Sequence, residues 1–87
     1  MKMIILIVKD SDSEAVNQAL TAAEYRITRV ASTGGFLRSG VVTLLLGVRD
    51  ERVESALELI REKVGKNESG EKRSTLFVVP VERFEQI

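Results

Sequence analysis

The chain contains no cysteine, no histidine and a single proline. Without cysteine there is neither a disulfide framework nor a thiolate nucleophile. Without histidine, the side chain that most often acts as a general base near neutral pH and as a zinc ligand is missing. Catalysis would fall to carboxylates, Lys, Tyr or Ser, and the composition weighs against an enzyme. An excess of one charge is also absent, since 13 basic residues face 13 acidic ones. That argues against electrostatic capture of nucleic acid, which needs a basic face, though a small basic pocket remains compatible with it. The apolar run near the start, Met3 to Val8, is too short to span a bilayer. It lacks a signal-peptide cleavage site and leads straight into a periodic segment, so a soluble cytoplasmic protein is expected.

The 87 residues present allow one domain, expected to cover residues 1–87, with ordinary globular proportions of 44% hydrophobic and 30% charged residues. Met3 to Val8 reads as a first strand. Ser11 followed by Glu14 fits a capping box, and Val16, Ala19, Leu20 and Ala23 recur at helical spacing, which predicts a helix over about residues 12–23. Tyr25 to Thr33 alternates as a second strand, and Val41 to Val48 is a third. Asp50 is a good N-cap for a second helix, whose inner face carries Val53, Ala56, Leu57, Ile60 and Val64, with Gly65 as its C′ residue. Lys66 to Arg73 is polar and reads as a loop. Thr75 to Val81 is a last strand, and Pro80 places it at an edge or marks its end.

The resulting order, βαββαβ, predicts an α+β, ferredoxin-like plan: a four-stranded antiparallel sheet with two helices on one face. Such a sheet should be polar on its free face. Here it is not. Met3, Ile5 and Ile7 oppose Ile4, Leu6 and Val8, while Val41, Thr43 and Leu45 oppose Val42, Leu44, Leu46 and Val48. Phe77 and Val79 add to the surplus. A second apolar face of this kind exceeds the patch a monomer usually exposes, about 300–600 Å², and it predicts a homo-oligomer with sheet faces packed inward.

The connector from Ala31 to Gly40 holds Gly34-Gly35, then Phe36, Leu37 and Arg38. A glycine pair permits positive φ, and successive N–H groups in such a turn can converge on an anion. On these residues alone it is equally a plain connector. Phe36 either plugs the sheet edge or stacks on a base. Arg26, Arg29 and Arg38 are either solvated or face a phosphodiester, and Arg26 is the best placed because it shares a strand face with Thr28. Asp10 and Asp50 read as helix caps, and Glu82 and Glu85 as a solvated tail. The run from Gly65 to Ser74 superficially resembles a phosphate loop but has Glu71 where Lys is required and no strand before it.

Several segments together resemble the PII-like cyclic-di-AMP receptor family: Met1 to Ile5, Arg26-x-Thr28, Ala31-x-Thr33-Gly34-Gly35-Phe36-Leu37-Arg38-x-Gly40, Thr43, Gly47-Val48, Asp50-x-Arg52-Val53 and Val78-x-Pro80-Val81-x-x-Phe84-x-Gln86. The resemblance implies a ferredoxin-like fold, a homotrimer, ligand clefts between subunits and a small bacterial signal-transduction protein that is not an enzyme. It implies no cofactor and a nucleotide ligand, cyclic di-AMP. Arg26 and Thr28 would contact an adenine. Gly35, Phe36 and Leu37 would supply backbone N–H groups and an apolar wall, Gly47 would lie against the ligand, and Gln86 would close the cleft. Val41 and Glu24 stand where the family commonly has Asn, and the 66–73 loop is shorter than is usual there. Another adenine nucleotide, a small anion, or a ligand-free protein–protein adaptor are the alternatives these departures leave open.

Overall fold

The computed structural model describes residues 1–30, 40–64, 74–83, 85 and 87. Strand β1 spans Lys2–Lys9, helix α1 Asp10–Ala22, strand β2 Ile27–Val30 and strand β3 Val41–Val48. A 3₁₀ turn over Asp50–Arg52 leads into helix α2, Val53–Lys63, and strand β4 is Ser74–Pro80. The strands form one antiparallel sheet in the order β2-β3-β1-β4, the ferredoxin-like α+β arrangement. Strand β4 lies at an edge and ends on Pro80, where the missing N–H interrupts no internal ladder.

The inner face follows the period-2 alternation of the central strands. Ile4, Leu6 and Val8 of β1 and Val42, Leu44, Leu46 and Val48 of β3 are buried together with Val16 and Leu20 of α1 and Ala56 and Ile60 of α2. Val53, Leu57 and Val64 pack on the margin of this core, so the predicted apolar face of α2 is the one that docks.

The opposite sheet face is apolar too. Ile5 lies across from Leu45 on one side and Phe77 on the other, and Met3 across from Gly47 and Val79. Met3, Ile5, Ile7 and Leu45 are half-buried by their neighbours, but Phe77 is 51% exposed and Val30 40%. Val81 continues from β4 by donating its N–H to the Met1 carbonyl at 3.0 Å. Among the described residues, this face thus keeps exposed apolar side chains at Phe77 and Val30.

Both helix starts differ from the expected caps. Helix α1 begins at Asp10, so Ser11 and Glu14 lie inside it and form no capping box; the N-cap is Lys9, which makes no side-chain cap bond. The Asp10 N–H donates instead to the Gly40 carbonyl at 2.7 Å. A backbone acceptor brought from thirty positions away by β1–β3 pairing does the work of a side-chain cap. Asp50 is likewise not an N-cap but the first residue of the 3₁₀ turn, with Arg49 preceding it and Arg52 capping α2. The Asp10 carboxylate pairs with Arg29 and that of Asp50 with the Met1 α-ammonium, each at 3.0 Å. The expected strand Tyr25–Thr33 is also shorter at its start, because Tyr25 and Arg26 precede β2. Residues 31–39, residues 65–73 (among them the expected loop Lys66 to Arg73 and the expected C′ residue Gly65), Phe84 and Gln86 lie outside the described residues.

The C-terminus of α1 explains that late start. Tyr25 donates its N–H to the Leu20 carbonyl and Glu24 donates to the Thr21 carbonyl, both at 3.0 Å. This pair of bonds is a Schellman motif with Glu24 at C′. Glu24 adopts φ 67°, the left-handed region that glycine occupies freely and asparagine tolerates. Relieving this strain is expected to stabilise the fold: Glu24→Gly should gain about 1 kcal/mol, or about 4–8 °C in Tm for a domain of this size. Thermal unfolding of the two proteins checks it, and an unchanged or lowered Tm refutes the strain.

Candidate functional site

Antiparallel pairing brings the start of β1, the approach to β2 and the end of β3 to one end of the sheet, since Met3 faces Gly47 and Ile27 faces Leu46. A cavity of about 620 Å³ lies there, with Met1, Met3, Leu45 and Val81 as apolar wall and Arg26, Thr28 and Arg83 as polar groups. It occupies the apolar outer face of the sheet. The volume suits a nucleotide-sized ligand, and the mix of apolar wall and few polar groups is that of a small-molecule site. Arg83 is paired with Glu85, whereas the Arg26 side chain makes no hydrogen bond or ion pair among the described residues.

Three of the residues expected to bind ligand, Arg26, Thr28 and Gly47, therefore line a single cavity. Gly47 is open to it. A Cβ built there would come within 2.8 Å of Met1 Cε, the end of a flexible side chain, and nothing else closer is involved. The glycine thus lets Met1 fold over β3 and keeps the cavity floor flat. Val41 is not part of this cavity. It opens β3 opposite Lys9, six residues from Gly47 and so about 20 Å away along the strand. Gly35, Phe36, Leu37 and Gln86 lie outside the described residues. Arg29 is paired with Asp10 on the surface and lines neither this cavity nor the one beside it.

The sequence pointed to the second part of this site only through Glu24, which stands where the family commonly has Asn. A smaller cavity, of about 440 Å³, adjoins the first and shares Met1, Arg26 and Gly47 with it; Glu24, Tyr25, Val48, Arg49 and Arg52 also line it. Tyr25 is the anchor. Its ring is buried, its hydroxyl donates to the Arg52 carbonyl at 3.3 Å, and the Arg52 guanidinium lies 4.0 Å above its centroid. The same guanidinium donates to the Ala23 carbonyl at 3.0 Å. An aromatic residue followed directly by Arg, just after a helix, was the available signal; the second partner, Arg52, is too distant in sequence to be linked with it.

At the rim, the α-ammonium of Met1 holds the Asp50 carboxyl below its ordinary value of 3.8, first by the hydrogen bond it donates and then by its charge. A carboxylate with a depressed folded-state pKa adds stability above its ordinary value, and that increment is lost as pH falls through the lower folded value. The Tm difference between the protein and its Asp50→Asn variant is therefore expected at pH 7 and should vanish in strong acid. A difference that stays constant from neutral pH to pH ~2 refutes the pairing.

Among the described residues no cluster of metal-ligating side chains occurs and no helix is long and apolar enough to cross a membrane. Fold and cavity together define a small ferredoxin-like α+β protein with a ligand-sized hollow at one end of its sheet. A model of the cyclic-di-AMP receptor family matches residues 1–70, and the chain belongs to that PII-like family. It is also similar to a solved structure described as a functionally unknown protein from Pediococcus pentosaceus ATCC 25745, at 30% identity and a TM-score of 0.77, over 99% of this chain and 96% of that one.

Proposed function

We propose that the protein is a cytoplasmic, non-enzymatic signal receptor that binds cyclic di-AMP in clefts between subunits of a homotrimer. The observation that carries this reading is the convergence of Arg26, Thr28 and Gly47 on one cavity in a chain of the cyclic-di-AMP receptor family. The location of the cavity supports the oligomeric part. It lies on the outer sheet face, where Met3, Ile5, Leu45 and Phe77 form an apolar surface. A neighbour packed on that surface would roof the cavity, removing water from the ligand and strengthening the Arg26 contact. Adenine would lie against Met3 and Leu45, Thr28 would donate or accept at the base edge, and Arg26 would face a phosphodiester or stack on the base. Isothermal calorimetry against cyclic di-AMP tests the proposal. Saturable heat with one ligand per subunit is expected, and no heat at several hundred micromolar ligand overturns it. A stable oligomer without ligand response would favour an adaptor instead.

A further inference from the structure

We infer that the smaller cavity is a subsite for the dianionic terminal phosphate of a linear nucleotide, with Arg49 as the residue that selects it. This rests on reading the adjoining cavity as the base site.

Charge is the first argument. Arg26, Arg49 and Arg52 line this cavity, with Glu24 as the single carboxylate among the described residues of its wall. The neighbouring Asp50 is engaged by the Met1 α-ammonium and does not offset them. Availability is the second. The chain's other described arginines near the sheet are paired, Arg29 with Asp10 and Arg83 with Glu85. Arg26 and Arg49 side chains have no hydrogen bond or ion pair among the described residues. Arg52 is pre-positioned on Tyr25 and spends one of its N–H groups on the Ala23 carbonyl, so its remaining donors are held in place rather than mobile. A guanidinium fork matches phosphate oxygens bidentately, and little further ordering is needed when it is already fixed.

Contiguity is the third. Met1, Arg26 and Gly47 line both cavities. A ligand with its base on the apolar wall reaches the arginines by passing Arg26 over the flat surface left by Gly47. A phosphodiester carries one negative charge and two free oxygens, whereas a terminal phosphate carries about −1.5 to −2 and three strong acceptors. Three guanidinium groups suit the second. The protein therefore accepts linear adenine nucleotides as well as a cyclic dinucleotide, and gains affinity from the terminal phosphate.

Calorimetry with adenosine, 5′-AMP, ADP and base-free pyrophosphate tests this on the wild type, Arg49→Gln and Arg49→Lys, with cyclic di-AMP titrated in parallel. In the wild type, 5′-AMP and ADP should bind at least about tenfold more tightly than adenosine. Arg49→Gln should reduce that ratio to within about twofold, and Arg49→Lys should restore part of it, as a point charge lacking the fork. Equal wild-type affinities for adenosine and 5′-AMP overturn the subsite, as does a preference that survives in Arg49→Gln. Cyclic di-AMP binding without any phosphate preference removes the subsite and leaves the receptor reading. Pyrophosphate binding that is lost in Arg49→Gln, with no adenine ligand binding, keeps the subsite and removes the receptor reading. No heat from any ligand overturns both.

Discussion

Tyr25→Ala is expected to destabilise the protein by about 3–5 kcal/mol, the range for deleting a buried aromatic ring. The residue is only 7% exposed and belongs to the main core. It also organises polar groups that the deletion would orphan. The Arg52 carbonyl would lose its donor at 3.3 Å and the Arg52 guanidinium its ring at 4.0 Å. Against a total stability of about 4–13 kcal/mol for a domain of this length, the loss is a large fraction, and Tm should fall by at least about 10 °C. Tyr25→Phe keeps the core volume and the cation–π contact and should cost only about 1 kcal/mol. Urea unfolding of the two variants separates packing from hydrogen bonding. Similar midpoints for both would show that the ring does not anchor this end of the fold. The same experiment bears on function, because the Schellman turn and Arg52 stand on this ring and both reach the smaller cavity.

Phe77→Asp is expected to turn an oligomer into monomers without unfolding them. In the isolated subunit Phe77 is 51% exposed on edge strand β4, where a charge is well tolerated and should alter stability by no more than about 0.5 kcal/mol. In an assembly the same position would be enclosed. Burying the exposed half of a phenylalanine, about 100 Å², contributes about 2–3 kcal/mol at ~25 cal/mol/Å². An unpaired carboxylate placed there would add a desolvation penalty. Together these should weaken association at least about a hundredfold. Analytical ultracentrifugation at tens of micromolar, with circular dichroism on the same samples, reads the outcome. A monomeric wild type would remove the oligomer proposal outright. A variant that sediments like the wild type would move the interface away from this face.

The strands were legible because their signal is local. The sequence pattern of Val41 to Val48 has the bounds of β3, and that of Met3 to Val8 matches β1 within one residue at each end. Their alternation also announced the doubled apolar faces, before any neighbour in the sheet was known. The start of α1 departs from the sequence pattern because a long-range partner, not a local one, satisfies it. Ser11-x-x-Glu14 is a sound capping pattern, yet the first N–H of α1 finds the Gly40 carbonyl, a residue from the other side of β2. In the sequence, Glu24 shows itself only as a charge where asparagine is common. The structure gives that position a backbone requirement, since it is the left-handed residue that closes α1. No glycine marks the turn, so the sequence offers no sign of it, and the alternation from Tyr25 onward begins two residues before β2 does.

Arg26, Thr28 and Gly47, and Glu24 as a departure from the family's Asn, are legible through the family resemblance, but Tyr25, Arg49 and Arg52 cannot be joined to them from sequence. By itself, the sequence determined the order of elements, the ferredoxin-like α+β class and the surplus of apolar surface, because hydrophobic period and turn chemistry act over a few residues. Tertiary structure alone decided which distant residues share a cavity. Antiparallel register sets Met3 beside Gly47 and Ile27 beside Leu46, and a Schellman turn aims Tyr25 at Arg52. Residues far apart in the chain thereby meet at one end of the sheet, and that meeting depends on pairing geometry that no local pattern encodes.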